Sequence, residues 1–333
     1  MSMTSMFTNF LRWPIIPRIL SIIFLVILLF GTLVHFIEPD NFPTLFDGIW
    51  WAIVTTSTIG FGDFVPTSIT GRIVAIFLIL IGTGFVTTYF VTLSSVAVTN
   101  QNAYIEGKTS FKGTGHIVII GWNERVKKTI SQLNVISPQR TIVLVDESLE
   151  INPVQSSNIH FIKGNQNDDD TLTKAKIQDA EMILITADQS KDEILADMNS
   201  VLTLVAVNGL NPNIYSIIEI LTTKHVENAK RAGADEIIQT NTLSSYVMIN
   251  SIISHGMTNG LLTMLDQVKG SKLKYIKADD HDHIVGKSFG DCSNELLKEK
   301  ILLIGVKRGP NTTINPGNSY TINQHDELFV IIN

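Results

Sequence analysis

Two long apolar runs enclosing a loop that is itself apolar limit this chain more than any other feature. Ile19–Ile37 carries no ionisable side chain except His35, and Ile69–Val98 carries only Arg72. Nineteen helical residues at 1.5 Å each cross about 30 Å of hydrocarbon, so both runs read as transmembrane helices, at 19–37 and 69–98. The first run is longer than the apolar stretch of a secretory signal and no small-residue cleavage site follows it, so it reads as a span. Arg12 and Arg18 precede the first run, Lys108 and Lys112 follow the second, and the loop between them holds Glu38, Asp40, Asp47 and Asp63 without a Lys or Arg. The positive-inside rule then places both termini, including the 1–18 segment, in the cytoplasm of a multi-pass plasma-membrane protein.

Within the loop, Leu45–Thr56 reads as a helix too short to span, which must be re-entrant or covered by neighbouring subunits. Directly after it stands Thr58-Ile59-Gly60-Phe61-Gly62-Asp63. Backbone carbonyls converge on one axis when alternate residues take left-handed angles, which glycine reaches at little steric cost. A ring of such oxygens replaces the hydration shell of a potassium ion, and the short helix points its negative end at the cation. In the second run Gly82 and Gly84 interrupt the helix at about 1 kcal/mol each relative to alanine. They suit a gating hinge, with Gly82 the better placed, or close packing against a neighbouring helix.

Beyond residue 100 the charge density rises, and 99–115 is polar and glycine-containing, as in a linker. Short apolar strands then alternate with helical stretches, at 116–121, 141–146, 159–162, 181–186, 214–218 and 236–239. That rhythm predicts a doubly wound parallel sheet over 116–243, of Rossmann type. Gly121-Trp122-Asn123-Glu124-Arg125-Val126 keeps only the first glycine of the dinucleotide fingerprint, while Asp146 supplies the acid expected after the second strand. Gly121, Asn123 and Asp146 are therefore nucleotide-binding candidates, although Glu124 brings negative charge toward the helix end that would meet a phosphate. Asp188 and Glu219 are candidate ligands for a divalent cation such as Ca2+. Asp279-Asp280-His281-Asp282-His283 is either a second cation cluster or a solvated turn, and Asp168-Asp169-Asp170 reads as a helix start. Cys292 alone supports neither a disulfide framework nor a cysteine cluster, and a net charge of −6 without a basic stripe argues against nucleic acid.

The segment 58–63 resembles the selectivity filter of potassium channels, with Ile59 for Val and Phe61 for Tyr, and the frame around it resembles two-transmembrane potassium channels. Gly121-Trp122-Asn123, Gly164-Asn165 and Lys230-Arg231-Ala232-Gly233-Ala234-Asp235 resemble the RCK domain, also called TrkA-N. Ile284-Val285-Gly286-Lys287-Ser288, Ile304–Arg308, Ile314-Asn315-Pro316 and Asp326-Glu327-Leu328 resemble its TrkA-C companion, an α+β lobe at 264–333 reached through crossover and dimerisation helices at 244–263. The resemblance implies a non-enzymatic, prokaryotic, homotetrameric channel with K+ as permeant ion, a gating ring of RCK domains, and a regulator such as NAD, ADP, ATP or Ca2+. In the calcium-gated members an acid after strand four joins two after strand five; here those positions are Thr186, Glu219 and Leu221. A ring in such channels holds more RCK domains than one per pore subunit, and the source of the additional ones is open. Three rival readings remain: a weakly selective cation channel, a membrane-anchored nucleotide-dependent oxidoreductase, and a transporter regulatory subunit. The oxidoreductase leaves 58–63 without a role, and the regulatory subunit needs no pore of its own.

Overall fold

A computed structural model describes Phe10 and residues 12–268, 272–281 and 283–332; Asp282 of the candidate acidic cluster lies outside the described residues. The chain divides into two compact units between Tyr104 and Ile105.

The first unit is helical. α1 (Ile15–Ile37), α2 (Leu45–Thr56) and α3 (Ile69–Ile105) enclose a core of Phe30, Val34, Phe42, Trp51, Val74 and Leu78. Thr44 and Asp47 form a reciprocal cap on α2, joining the Thr44 hydroxyl to the Asp47 N–H and the Asp47 carboxylate to the Thr44 N–H, which fixes where the short helix begins. α3 runs past the expected end of the span at 98 and takes up the first part of the presumed linker. The physical reason is local: no Gly or Pro lies between Gly84 and Gly107, where φ reaches +67°. What remains of the linker is pinned. The Gly107 carbonyl accepts from Lys163 N, Phe111 N donates to the Lys174 carbonyl, and Gly115 N donates to the Asp179 carbonyl.

The second unit carries a six-stranded parallel sheet in the order β3-β2-β1-β4-β5-β6. Its strands are β1 (Ile117–Ile120), β2 (Ile142–Asp146), β3 (Ile159–Lys163), β4 (Met182–Ile185), β5 (Tyr215–Ile220) and β6 (Glu236–Gln239). Val118 and Ile120 face one buried cluster with Val143 and Val145, while Ile117 and Ile119 face another with Ile142 and Leu144. Two buried faces explain why these strands read as unbroken apolar runs. Between the strands lie α4 (Glu124–Ile136), α5 (Asp169–Lys174), α6 (Glu193–Leu210) and α7 (Val226–Arg231). α6 is long and apolar enough to cross a membrane, yet it buries Ala196, Leu204 and Val207 within this unit and leaves Leu195, Met198, Leu202 and Val205 exposed.

β6 passes without a loop into α8 (Thr240–Ile253), followed by α9 (Met257–Leu265); α8 exposes Tyr246, Ile249 and Ile253. The C-terminal lobe is an antiparallel sheet ordered β7-β10-β8-β9, from β7 (Lys272–Lys277), β8 (Ile301–Arg308), β9 (Asn311–Ile314) and β10 (Glu327–Ile332). α10 (Phe289–Lys298) buries Phe289, Cys292 and Leu296 in a core with Leu303, Val306, Leu328 and Val330. Burial pushes the Cys292 thiol up to about 11, so the lone cysteine is a packed, unreactive side chain.

Candidate functional site

At the end of α2 the backbone changes hand at every second residue: φ is +60° at Thr58, +62° at Gly60 and +76° at Gly62. The turn is fastened to the helix, because Ile59 N and Gly60 N both donate to the Val54 carbonyl, at 3.2 and 3.3 Å. From the other side Trp50 Nε1 donates to Asp63 Oδ2 at 2.7 Å, and the Phe61 ring stacks on Trp50 with centroids 6.1 Å apart and an interplanar angle of 10°. Phe61 thus reaches the pore helix through its ring face, although it lacks a tyrosine hydroxyl. All six residues from Thr58 to Asp63 form one continuous segment with α2 behind it.

Glu38, which the sequence placed only among the acids of the loop, ties the end of α1 to the start of α3. Its carboxylate lies at the end of α1 and is buried, and no basic side chain bonds to it among the described residues. Oε1 accepts from Ser68 N at 2.9 Å and Ser68 Oγ at 2.5 Å, and Oε2 accepts from Thr67 N at 3.0 Å and Asn41 Nδ2 at 2.7 Å. A carboxylate at the start of α3 also meets the positive end of the helix dipole. Burial raises the Glu38 pKa, but the bonds from Ser68, Thr67 and Asn41 together outweigh it and hold the group down at about 2. The sequence signal was an acid at the end of a span with no Lys or Arg in the loop, and Thr67-Ser68 just ahead of the next helix.

The two glycines of α3 differ in their surroundings. A Cβ on Gly82 would lie 2.9 Å from both Thr56 Oγ1 and Cγ2, whereas one on Gly84 meets nothing within 4 Å. Gly82 therefore lets α3 approach the end of α2 closely, and Gly84 is free of that demand. Gly84→Ala is expected to keep the fold and straighten α3 by about 1 kcal/mol per helix. The expected outcome is a lower open probability in single-channel records. Gly82→Ala is expected instead to weaken the packing of α3 on the end of α2, read as a lower melting temperature.

In the second unit a cleft of about 500 Å3 opens where the strand order reverses between β1 and β4, at the carboxyl ends of the strands. Gly121, Trp122, Asn123, Asp146, Thr186 and Asp188 line it, so the nucleotide candidates and Asp188 come together there. Asn123 caps α4 by accepting from Val126 N at 3.0 Å and donates to Thr186 Oγ1 at 3.2 Å. Asp146 Oδ2 accepts from Trp122 N at 2.8 Å; Oδ1 accepts from Ser148 N, Ser148 Oγ and Leu149 N. Asp146 is thus largely committed to joining the β1 and β2 loops, with Oδ2 the less occupied oxygen. Glu124, at the first turn of α4, extends into solvent toward Lys127.

Glu219 does not line the cleft. It is buried and bonded to Arg125 at 2.9 Å, while Asp188 is engaged by Ser190 and Lys191. Burial raises the Asp188 pKa, but the bonds from Ser190 and Lys191 leave it below the usual carboxylate value. Among the described residues no group of three His, Cys, Asp or Glu gathers in a metal-binding arrangement. Sequence spacing gave no hint of the Arg125–Glu219 pair.

A short helix aimed at an alternating-hand turn between two apolar helices defines an ion-channel pore, and the doubly wound unit after it is of the Rossmann type. Residues 22–99 match the ion channel family and residues 117–240 match the TrkA-N domain. The putative potassium channel protein YugO of Bacillus subtilis is 42% identical over 99% of this chain and 100% of that protein. The calcium-gated potassium channel TvoK of Thermoplasma volcanium is 27% identical over 91% of this chain and 88% of its own. The solved GsuK channel shares the fold at a TM-score of 0.52 and 18% identity, over 96% of this chain; this chain spans 57% of that one. The chain belongs to the potassium channels that join an ion-channel pore to a TrkA-N domain.

Proposed function

We propose that the chain is one subunit of a homotetrameric, potassium-selective channel whose opening is set by a ligand in the β1/β4 cleft. The alternating left-handed backbone at Thr58, Gly60 and Gly62 carries the selectivity half of this reading. K+ is the permeant ion, Thr58–Gly62 supply its oxygens, Asp63 is held by Trp50, and both termini face the cytoplasm. Phe61 is compatible with selectivity because its ring is braced on Trp50.

The gating half rests on the cleft and on the tether behind α3. Two residues after α3 ends, the Gly107 carbonyl accepts from Lys163 N, so the segment that follows α3 is fastened to the end of β3. A ligand that binds one shape of this unit better than another shifts the pore by that difference in affinity. α6 and α8 both expose apolar side chains, which suits a ring in which each domain meets neighbours. With Glu219 neutralised by Arg125, the cleft favours a nucleotide over a bare divalent cation as regulator.

Thermal-shift titration of the full channel with NAD, NADH, ADP, ATP and Ca2+ tests this. A nucleotide is expected to raise the melting temperature. Gly121 has φ of +90°, and a Cβ there would lie 2.7 Å from Thr186 Oγ1. Gly121→Ala is therefore expected to weaken nucleotide binding about tenfold or more, through backbone strain of about 1–3 kcal/mol. A shift with Ca2+ alone, unaffected by Gly121→Ala, would overturn the nucleotide reading.

A further inference from the structure

Behind the cleft wall, one buried carboxylate holds a peptide of that wall and the first residue of α8 together. Ala187 lines the cleft and is fully buried. Its N–H donates to Glu219 Oε2 at 2.9 Å, and its carbonyl accepts from Arg125 Nη2 at 3.0 Å. The same Arg125 nitrogen donates to Glu219 Oε2 at 2.9 Å, so α4, the loop after β4, and β5 meet at one peptide. The other oxygen, Glu219 Oε1, accepts from Thr240 Oγ1 at 2.5 Å, and Thr240 opens α8. Glu219 is 4% exposed, so water does not readily replace any of these partners.

We propose that Glu219 is a positioning residue that links the Ala187 wall of the cleft to the start of α8, so that a ligand moving this wall also moves the crossover helices. The regulatory role of the link rests on the cleft being the ligand site; the mechanical link itself does not. Arg125 makes the arrangement stiff: it neutralises Glu219 and grips the Ala187 carbonyl, while its own Nε lies buried without a hydrogen-bond partner among the described residues. A carboxylate needed only to neutralise Arg125 has no use for Thr240. Conversely, a carboxylate that sets the angle of α8 needs a donor on that helix, and the hydroxyl at its first residue provides one. The charge-assisted bond at Thr240 is also among the stronger classes of hydrogen bond.

The Ala187 N–H reports on the link directly, because its acceptor is Glu219. Amide hydrogen exchange of the full channel in lipid nanodiscs, without ligand, is compared for wild type, Thr240→Val and Thr240→Ser. Thr240→Val removes the donor and is expected to speed exchange over 186–191 about tenfold, the loss of one hydrogen bond to a charged group, while Thr240→Ser restores wild-type exchange. Unchanged exchange over 186–191 in Thr240→Val would overturn the link. Should Thr240→Val fail to assemble, Thr240→Ala, which loses the same hydroxyl, carries the measurement with the same two outcomes. A second arm adds ADP, ATP and NAD in turn: a bound nucleotide is expected to protect 240–253 in wild type and to lose that effect in Thr240→Val. Protection retained in Thr240→Val would overturn the coupling. If no nucleotide binds wild type, the cleft reading falls, and the ligand-free exchange still decides the link.

Discussion

A channel carrying Gly60→Ala is expected to assemble and conduct no measurable potassium current. Gly60 has φ of +62° and Gly62 has φ of +76°, in the region where a side chain costs about 1–2 kcal/mol per residue. In the proposed fourfold pore that penalty would be repeated once per subunit, about 4–8 kcal/mol in all. The simplest escape is for the backbone to flip, which in the proposed filter would turn the carbonyl away from the axis and remove an oxygen ring from the ion's path. Thr58 already takes φ of +60° with a side chain present, so this turn has little tolerance for a second strained residue. Space is not the cause, because a Cβ at Gly60 meets nothing within 4 Å of its own subunit. Single-channel recording of wild type, Gly60→Ala and Gly84→Ala separates the effects: Gly60→Ala loses conductance, whereas Gly84→Ala keeps unitary conductance and changes open probability.

The second large effect is expected at Glu38. Glu38→Ala leaves Thr67 N, Ser68 N, Ser68 Oγ and Asn41 Nδ2 without their acceptor. Thr67 and Ser68 are exposed and Asn41 is half-buried, so water satisfies part of what is lost, and the expected loss is about 1–3 kcal/mol. Glu38→Gln keeps the shape but turns one acceptor into a donor facing donors, and is expected to lose slightly less. The pH dependence follows from the depressed pKa of about 2, against an ordinary 4.5. A group lowered on folding contributes stability that is full above pH 4.5 and is lost as the pH falls toward 2. Melting temperatures of the wild-type channel between pH 6 and about 3 should therefore fall more steeply than those of Glu38→Gln. Parallel curves would remove Glu38 from its structural role.

What the sequence made legible depends on how local each cause is. The sheet was readable because β1 and β2 are buried on both faces, which forces runs such as Ile117–Ile120. The turn at 58–63 was readable because positive φ at Gly60 and Gly62 favours glycine at a spacing of two. α3 ran beyond its expected end because polarity after 98 suggested a linker, while the real helix stop is the absence or presence of Gly, first met at Gly107. Gly82 carried two readings, hinge and packing, and its closeness to Thr56 supports packing while leaving the hinge role untested. Glu38 with Ser68, and Arg125 with Glu219, join residues 30 and 94 positions apart; such pairs leave no periodic trace in one sequence. The cleft was hard to read for a related reason: the bonds of Asp146 and Asn123 to Trp122, Ser148 and Thr186 are set by the fold.

The reversal potential of the purified channel in a planar bilayer, with KCl on one side and an equal concentration of NaCl on the other, bears most directly on the potassium-selective pore. A filter built on Thr58–Gly62 gives a reversal potential displaced far toward the potassium equilibrium value. Reversal near zero, with sodium carrying current as readily as potassium, would contradict it.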